Sequence, residues 1–212
     1  MDFFVWQSAY GLEWYLSHFP RIDSEQTLIT GEASPSYILD FKVAQQLREA
    51  FPNIKLLVIL RNPIDRAFSQ YHNYKRWINF ESRTLEQAIA DEQEILKQID
   101  NVTLAGKTFW ETQEGYLVRG MYVYFLEQWM SIFPREQFLI LKSEDLYADP
   151  QVIMNQVFRF LGLPEYSSDR YLKYASGSYA PISVELRQEL QNFFQPHNQR
   201  LEEFLGYQLN WQ

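Results

Sequence analysis

Arg61 and Ser69 stand eight residues apart and could offer two kinds of donor to one oxyanion. A guanidinium is a planar fork that matches phosphate, and a hydroxyl adds one further hydrogen bond. Arg66, Lys75 and Arg76 add cationic charge to the same stretch, Lys55 to Arg76, which reads KLLVILRNPIDRAFSQYHNYKR. By spacing alone a plainer reading fits as well: Arg61 caps a sheet edge, Ser69 is a solvated helix serine, and Lys75 and Arg76 are solvated helix charges.

Elements that would position these groups are legible around them. Leu56 to Leu60 is an unbroken apolar run of strand length, which predicts a strand buried on both faces. Asn62 is a good helix N-cap, Pro63 suits the first helical position, and Asp65 lies in the first turn, where a carboxylate favours the positive end of the helix. Ile64, Ala67, Phe68, Tyr71 and Ile78 recur at helical spacing, opposite a polar stripe of Arg66, Ser69, Asn73 and Arg76. A buried strand that feeds a helix N-terminus through an Arg describes an anion site in an open α/β sheet.

The string L-R-N-P-x-x-R-A-x-S-x-Y, residues 60–71, also resembles a family motif. It is similar to the 3′-phosphate-binding motif of sulfotransferases that use 3′-phosphoadenosine 5′-phosphosulfate (PAPS), nearest the heparan sulfate branch and its bacterial relatives. The resemblance implies that Arg61 and Ser69 bind the 3′-phosphate. It extends to G-L-E-W-Y-L-S-H-F-P and G-E-A-S-P-S-Y before the motif, to E-D-L…D-P…F-L-G-L after it, and to the closing G-Y-Q-L-N-W. Ser176-Gly177-Ser178-Tyr179 stands where the family places a second cofactor-binding loop, ahead of its last helix. Gly177 would allow close backbone approach, and Ser176 and Ser178 could donate to phosphate oxygens. The heparan branch carries Lys and Arg in that loop, so an ordinary surface turn is the alternative.

Elsewhere the pattern alternates strands and helices. A short helix is expected within Gly11 to Phe19, a strand at Leu28 to Glu32, and a helix from Asp40 to Phe51. Thr84 and Gln87 form a capping box for a helix to about Ile99, and a polar stretch from Asn101 to Gly115 follows. In the resembled family such insertions often border the acceptor site. Tyr116 to Phe133 reads as one helix with Tyr122, Phe125, Leu126 and Trp129 facing the core, and Gln137 to Leu141 as a third strand. Asp149-Pro150 opens a helix ending near Gly162, Leu163 to Ile182 is a loop, and a last helix runs to about Gln195 and resumes after Pro196. The acidic residues after the third strand read as caps and turn formers. The expected fold is α/β, a parallel sheet flanked by helices in one domain over residues 1–212. The resemblance implies the sulfotransferase version of the P-loop nucleotide-kinase fold.

Composition narrows the classes. With 212 residues, 46% of them hydrophobic, the chain can bury a full core. No run is long and apolar enough to suggest a membrane span. A net charge of −8 argues against broad nucleic-acid binding, although a local cationic cluster can still take an anionic cofactor. With no Cys and three separated His, neither a disulfide nor a thiolate or His-based metal site is expected, and the cytoplasm is the expected compartment.

One expected part is not found. The family grips the 5′-phosphosulfate with a Lys-x-Gly-Thr-Thr/Ser-like loop after its first strand, and none of the eight glycines stands in such a context. Met1-Asp2-Phe3-Phe4 resembles the tail of the segment that carries the heparan branch's catalytic Glu. The resemblance therefore implies an N-terminally incomplete fold lacking the first strand, loop and first helix. A start-site truncation, a split or multidomain protein with an upstream segment, and an inactive relative compete as explanations. Within the chain Glu32 is the candidate acid/base, with a structural acceptor as its alternative; otherwise the catalytic residue is unknown. The implied reaction is in-line, metal-free sulfuryl transfer from PAPS to a hydroxyl or amine of a glycan, small molecule or carrier-bound chain. The alternatives are a non-catalytic binding module and a nucleotide kinase; the lack of a Walker A lysine loop counts against the kinase.

Overall fold

The structure is a computed structural model that describes residues 2–21, 28–76, 81–98, 115–168, 170–171 and 180–211. In chain order its elements are α1 (Leu12–Leu16), α2 (Phe41–Ala50), β1 (Leu56–Leu60), α3 (Pro63–Arg76), α4 (Leu85–Lys97), α5 (Tyr122–Ile132), β2 (Phe138–Lys142), α6 (Ser143–Ala148), α7 (Pro150–Leu161) and α8 (Val184–Leu205). The strands β1 and β2 pair in parallel, from Leu56 opposite Phe138 to Leu60 opposite Lys142. Both strands thus run out on the same side, where each passes into a helix.

Cap chemistry sets most helix starts. Asp40, Asp149 and Ser183 each accept a first-turn N–H, and Thr84 with Gln87 makes both bonds of the expected capping box. Gly162, at φ 75°, ends α7 in the left-handed region that glycine reaches without strain.

Two clusters of buried side chains flank the strands. One joins Leu60 to α3, α4, α5, α8 and the tail residue Leu209. The other gathers Phe3, Phe4, Tyr15, Tyr37, α2, Trp129, Phe133 and Phe138. As expected, Tyr122, Phe125, Leu126 and Trp129 are all buried. Val58 and Ile140 pack against both clusters, so the two meet on one face of the strand pair.

Several sequence expectations need correction. Leu28 to Glu32 forms no strand, and Leu28 and Ile29 are exposed with no ladder to join. Among the described residues the sheet therefore has two strands rather than three. Nor is β1 buried on both faces, because Leu57 and Ile59 are 45% and 55% exposed. Helix α7 packs on β2 but leaves that face of β1 uncovered.

Residues 116–133 are not one helix. A 3₁₀ turn, Val118–Gly120, precedes α5, and Met121 breaks the path at ψ 58°. Packing is the reason: a Cβ on Gly120 would lie 2.8 Å from Pro63 Cβ and from a Phe194 ring carbon, so the turn abuts the start of α3. The last helix, conversely, runs through Pro196 without a stop. Buried Phe194 and Leu201 hold its two halves to one core, which offsets the hydrogen bond lost at Pro196.

Candidate cofactor-binding site

The candidate site is built at the end of β1. Asn62 caps α3 as expected: its Oδ1 accepts from the N–H of Ile64 at 3.0 Å and of Asp65 at 3.4 Å. Its own carbonyl accepts from the Arg66 N–H at 2.9 Å, so the helix begins directly after Arg61. Arg61 and Ser69 are both half-buried, one at the strand end and one on the second turn of α3. Among the described residues the Arg61 guanidinium and the Ser69 hydroxyl make no hydrogen bond or ion pair, with each other or with other groups. A half-buried cation at the strand end and a half-buried hydroxyl on the second turn of α3, both without partners among the described residues, could each donate to an anionic ligand such as a phosphate.

The backbone of Arg61 is held far more firmly than its side chain. The buried Tyr122 hydroxyl donates to the Arg61 carbonyl at 2.8 Å, and the Asn62 N–H donates to Glu144 Oε1 at 2.7 Å. Glu144 Oε2 in turn accepts from Trp211 Nε1 at 3.4 Å. Burial raises the Tyr122 hydroxyl above its ordinary pKa, so it stays a donor.

Further along α3, Arg66 turns inward. It donates to Gln70 Oε1 at 2.5 Å and to the Tyr116 carbonyl. Burial lowers the pKa of Arg66 and of Arg119, and raises that of Glu92, whose charge partly offsets theirs. Glu92 accepts from the N–H groups of Leu117 and Val118, both at 2.9 Å, and so fixes the turn that leads to Tyr122. Lys75 is more than a solvated charge, since it donates to the carbonyls of Ser82 and Arg83. Asp65 in the first turn pairs with Arg187 of α8 at 2.6 Å. That contact brings the start of α8 to the start of α3.

The remaining expected residues stand differently. Ser176, Gly177, Ser178 and Tyr179 lie outside the described residues. Glu32 lies beside the second cluster, where Ser34 Oγ donates to its Oε1 at 3.4 Å and its Oε2 is buried without a hydrogen-bond partner. The hydroxyls of Tyr15 and Tyr37 face it; burial first and the carboxylate second raise both, Tyr37 to about 12. No described contact joins Glu32 to Arg61 or Ser69. The contacts of Tyr122 and Glu144 with the Arg61–Asn62 peptide, and of Trp211 with Glu144, were not legible in the sequence, which presents a core aromatic, a turn former and a closing residue. The one available signal was that Glu144 follows β2 as Asn62 follows β1. Among the described residues no group of three or more His, Asp or Glu side chains is placed to hold a metal ion.

The family model described as "Sulfotransferase domain" matches residues 2–180. The chain belongs to the sulfotransferase family. The chain is 26% identical over 216 residues to the Caenorhabditis briggsae bifunctional heparan sulfate N-deacetylase/N-sulfotransferase 1, covering 92% of this chain and 24% of that protein. It is 23% identical to the membrane-associated sulfotransferase kil1 of Dictyostelium discoideum, covering 96% of this chain and 58% of that protein. Human heparan sulfate glucosamine 3-O-sulfotransferase 6 is 28% identical, with 95% and 61% covered. This sulfotransferase chain thus spans less than two thirds of the length of these curated relatives. The crystal structure of a sulfotransferase from Alicyclobacillus acidocaldarius superposes with a TM-score of 0.72 at 28% identity, over 96% of this chain and 75% of that one. The α/β class expected from sequence, with a parallel sheet flanked by helices, agrees with that likeness.

Proposed function

We propose that this chain carries the 3′-phosphate-binding site of a sulfotransferase that uses PAPS as sulfuryl donor. The observation that carries the reading is the pair of donors without partners among the described residues, Arg61 just before the capped start of α3 and Ser69 on its second turn. Arg61 would grip the phosphate as a charged fork and Ser69 would donate a second hydrogen bond. The residues 176–179 that lead into α8 would contribute to the same cofactor, in keeping with the Asp65–Arg187 contact that sets α8 beside α3. PAPS supplies the activated sulfuryl group, and the acceptor is a hydroxyl or amine, with a glycan favoured by the names of the heparan sulfate relatives.

Calorimetric titration with adenosine 3′,5′-bisphosphate tests the reading directly. Arg61→Ala should weaken binding by about 2–3 kcal/mol, the worth of charge-assisted hydrogen bonds to a phosphate. An unchanged affinity would overturn the assignment. Displacement of the bisphosphate by ATP, with no preference between them, would favour a nucleotide kinase instead.

A further inference from the structure

The Arg61–Asn62 peptide is held from both sides by side chains. Its carbonyl accepts from the Tyr122 hydroxyl at 2.8 Å, and its N–H donates to Glu144 Oε1 at 2.7 Å. Inside a sheet, neighbouring strands would satisfy both groups. This peptide lies one residue beyond the last paired position, Leu60 opposite Lys142, so side chains from α5 and α6 take over. Both of them meet Trp211: its indole N–H donates to Glu144 Oε2 at 3.4 Å, and its ring lies 5.8 Å from that of Tyr122. Trp211 is itself tied down, because Leu209 is fully buried and the N–H groups of Leu209 and Asn210 donate to Glu202 Oε1 at 2.7 and 3.3 Å.

We propose that Tyr122, Glu144 and Trp211 form a clamp on this peptide that sets the direction of the Arg61 guanidinium, which makes the C-terminal tail a positioning part of the 3′-phosphate site. The inference rests on the reading above. Among the described residues the guanidinium has no hydrogen bond or ion pair of its own, so the clamped backbone is what fixes the point from which it reaches the ligand. Rotating the peptide plane would swing Arg61 and at the same time turn Asn62, the cap of α3. The bond from Asn62 to a carboxylate is charge-assisted and resists that rotation more than a neutral bond would. Tyr122, Glu144 and Trp211 are positioning residues, since each acts through Arg61.

The experiment is a set of double-mutant cycles read by calorimetric titration of the full chain with adenosine 3′,5′-bisphosphate. Tyr122→Phe, Glu144→Gln and Trp211→Phe are each made with Arg61 present and with Arg61→Ala. With Arg61 present, Tyr122→Phe and Glu144→Gln should each weaken binding about five- to tenfold, and Trp211→Phe about two- to threefold. In the Arg61→Ala background none of them should weaken it further, which a general loss of stability would not reproduce. Unchanged affinity in both Tyr122→Phe and Glu144→Gln, or losses fully additive with Arg61→Ala, overturns the clamp while the cofactor reading stands. If Glu144→Gln does not fold, Tyr122→Phe, which keeps the ring and removes one oxygen, decides alone. Failure of the unchanged chain to bind, or full affinity in Arg61→Ala, overturns the cofactor reading and the clamp with it.

Discussion

Ser69 separates function from stability at the level of one side chain. Its hydroxyl makes no hydrogen bond among the described residues, and it sits within α3, where Ala is the better helix former. Ser69→Ala should therefore leave the thermal midpoint unchanged or slightly raised, with a stability change within about 0.5 kcal/mol. It should nevertheless weaken adenosine 3′,5′-bisphosphate binding about tenfold or more, because a hydrogen bond to a charged phosphate is lost. Equal affinities in the two proteins would remove Ser69 from the site. The contrast explains what was legible at this scale. The proposed donors belong to a local motif, since Arg61, Asn62, Pro63 and Ser69 all lie within nine consecutive positions. Tyr122 and Glu144 reach the same backbone from 61 and 82 residues away, with Trp211 bonded behind Glu144, and no local pattern announces that.

Among the elements, capped helices were readable because their chemistry is local, as the reciprocal bonds of Thr84 and Gln87 show. The break before α5 was not, because its cause lies in α3 and α8. Gly120 is at that junction, with Pro63 Cβ and the Phe194 ring both 2.8 Å from the place a Cβ would take. Gly120→Ala should cost about 1–3 kcal/mol, the usual penalty for overpacking, measured as a lower denaturant midpoint with unchanged slope. Since Pro63 is the first residue of α3, the displacement should also reach the Arg61–Asn62 peptide and weaken bisphosphate binding. A variant as stable as the parent would show that α8 yields at Phe194 without cost. The missing strand at Leu28 to Glu32 and the uncovered face of β1 have the same origin. An apolar run fixes strand propensity, whereas pairing and cover depend on other segments.

For the molecule as a whole, acid stability should be governed by a buried network that sequence spacing does not reveal. Glu81 accepts from the Arg83 backbone N–H and guanidinium and from the Tyr116 hydroxyl, at 2.8 to 3.0 Å. Burial alone would raise its pKa, but these hydrogen bonds outweigh it and hold the carboxyl down at about 2, against 4.5 ordinarily. A carboxyl with a depressed folded-state pKa contributes stability that is complete above about 4.5 and lost as the pH falls towards about 2. His197 adds an earlier loss. Burial, and then Arg200, lower it below 6.5, so the unfolded chain takes up protons first as the pH drops. Glu92 runs the other way: burial raises its pKa, and its contribution is present at low pH and fades as the pH rises through that raised value. Thermal midpoints should therefore start to decline below about pH 6.5 and fall more steeply below about pH 4.5, where Glu81 is titrated. Glu81→Gln should lower the midpoint at pH 7, since Arg83 loses the more buried of its two carboxylate partners, and flatten the decline between about pH 4.5 and pH 2. An unaltered acid limb in Glu81→Gln would assign the loss to other carboxyls and leave the Glu81–Arg83–Tyr116 network without a part in acid unfolding.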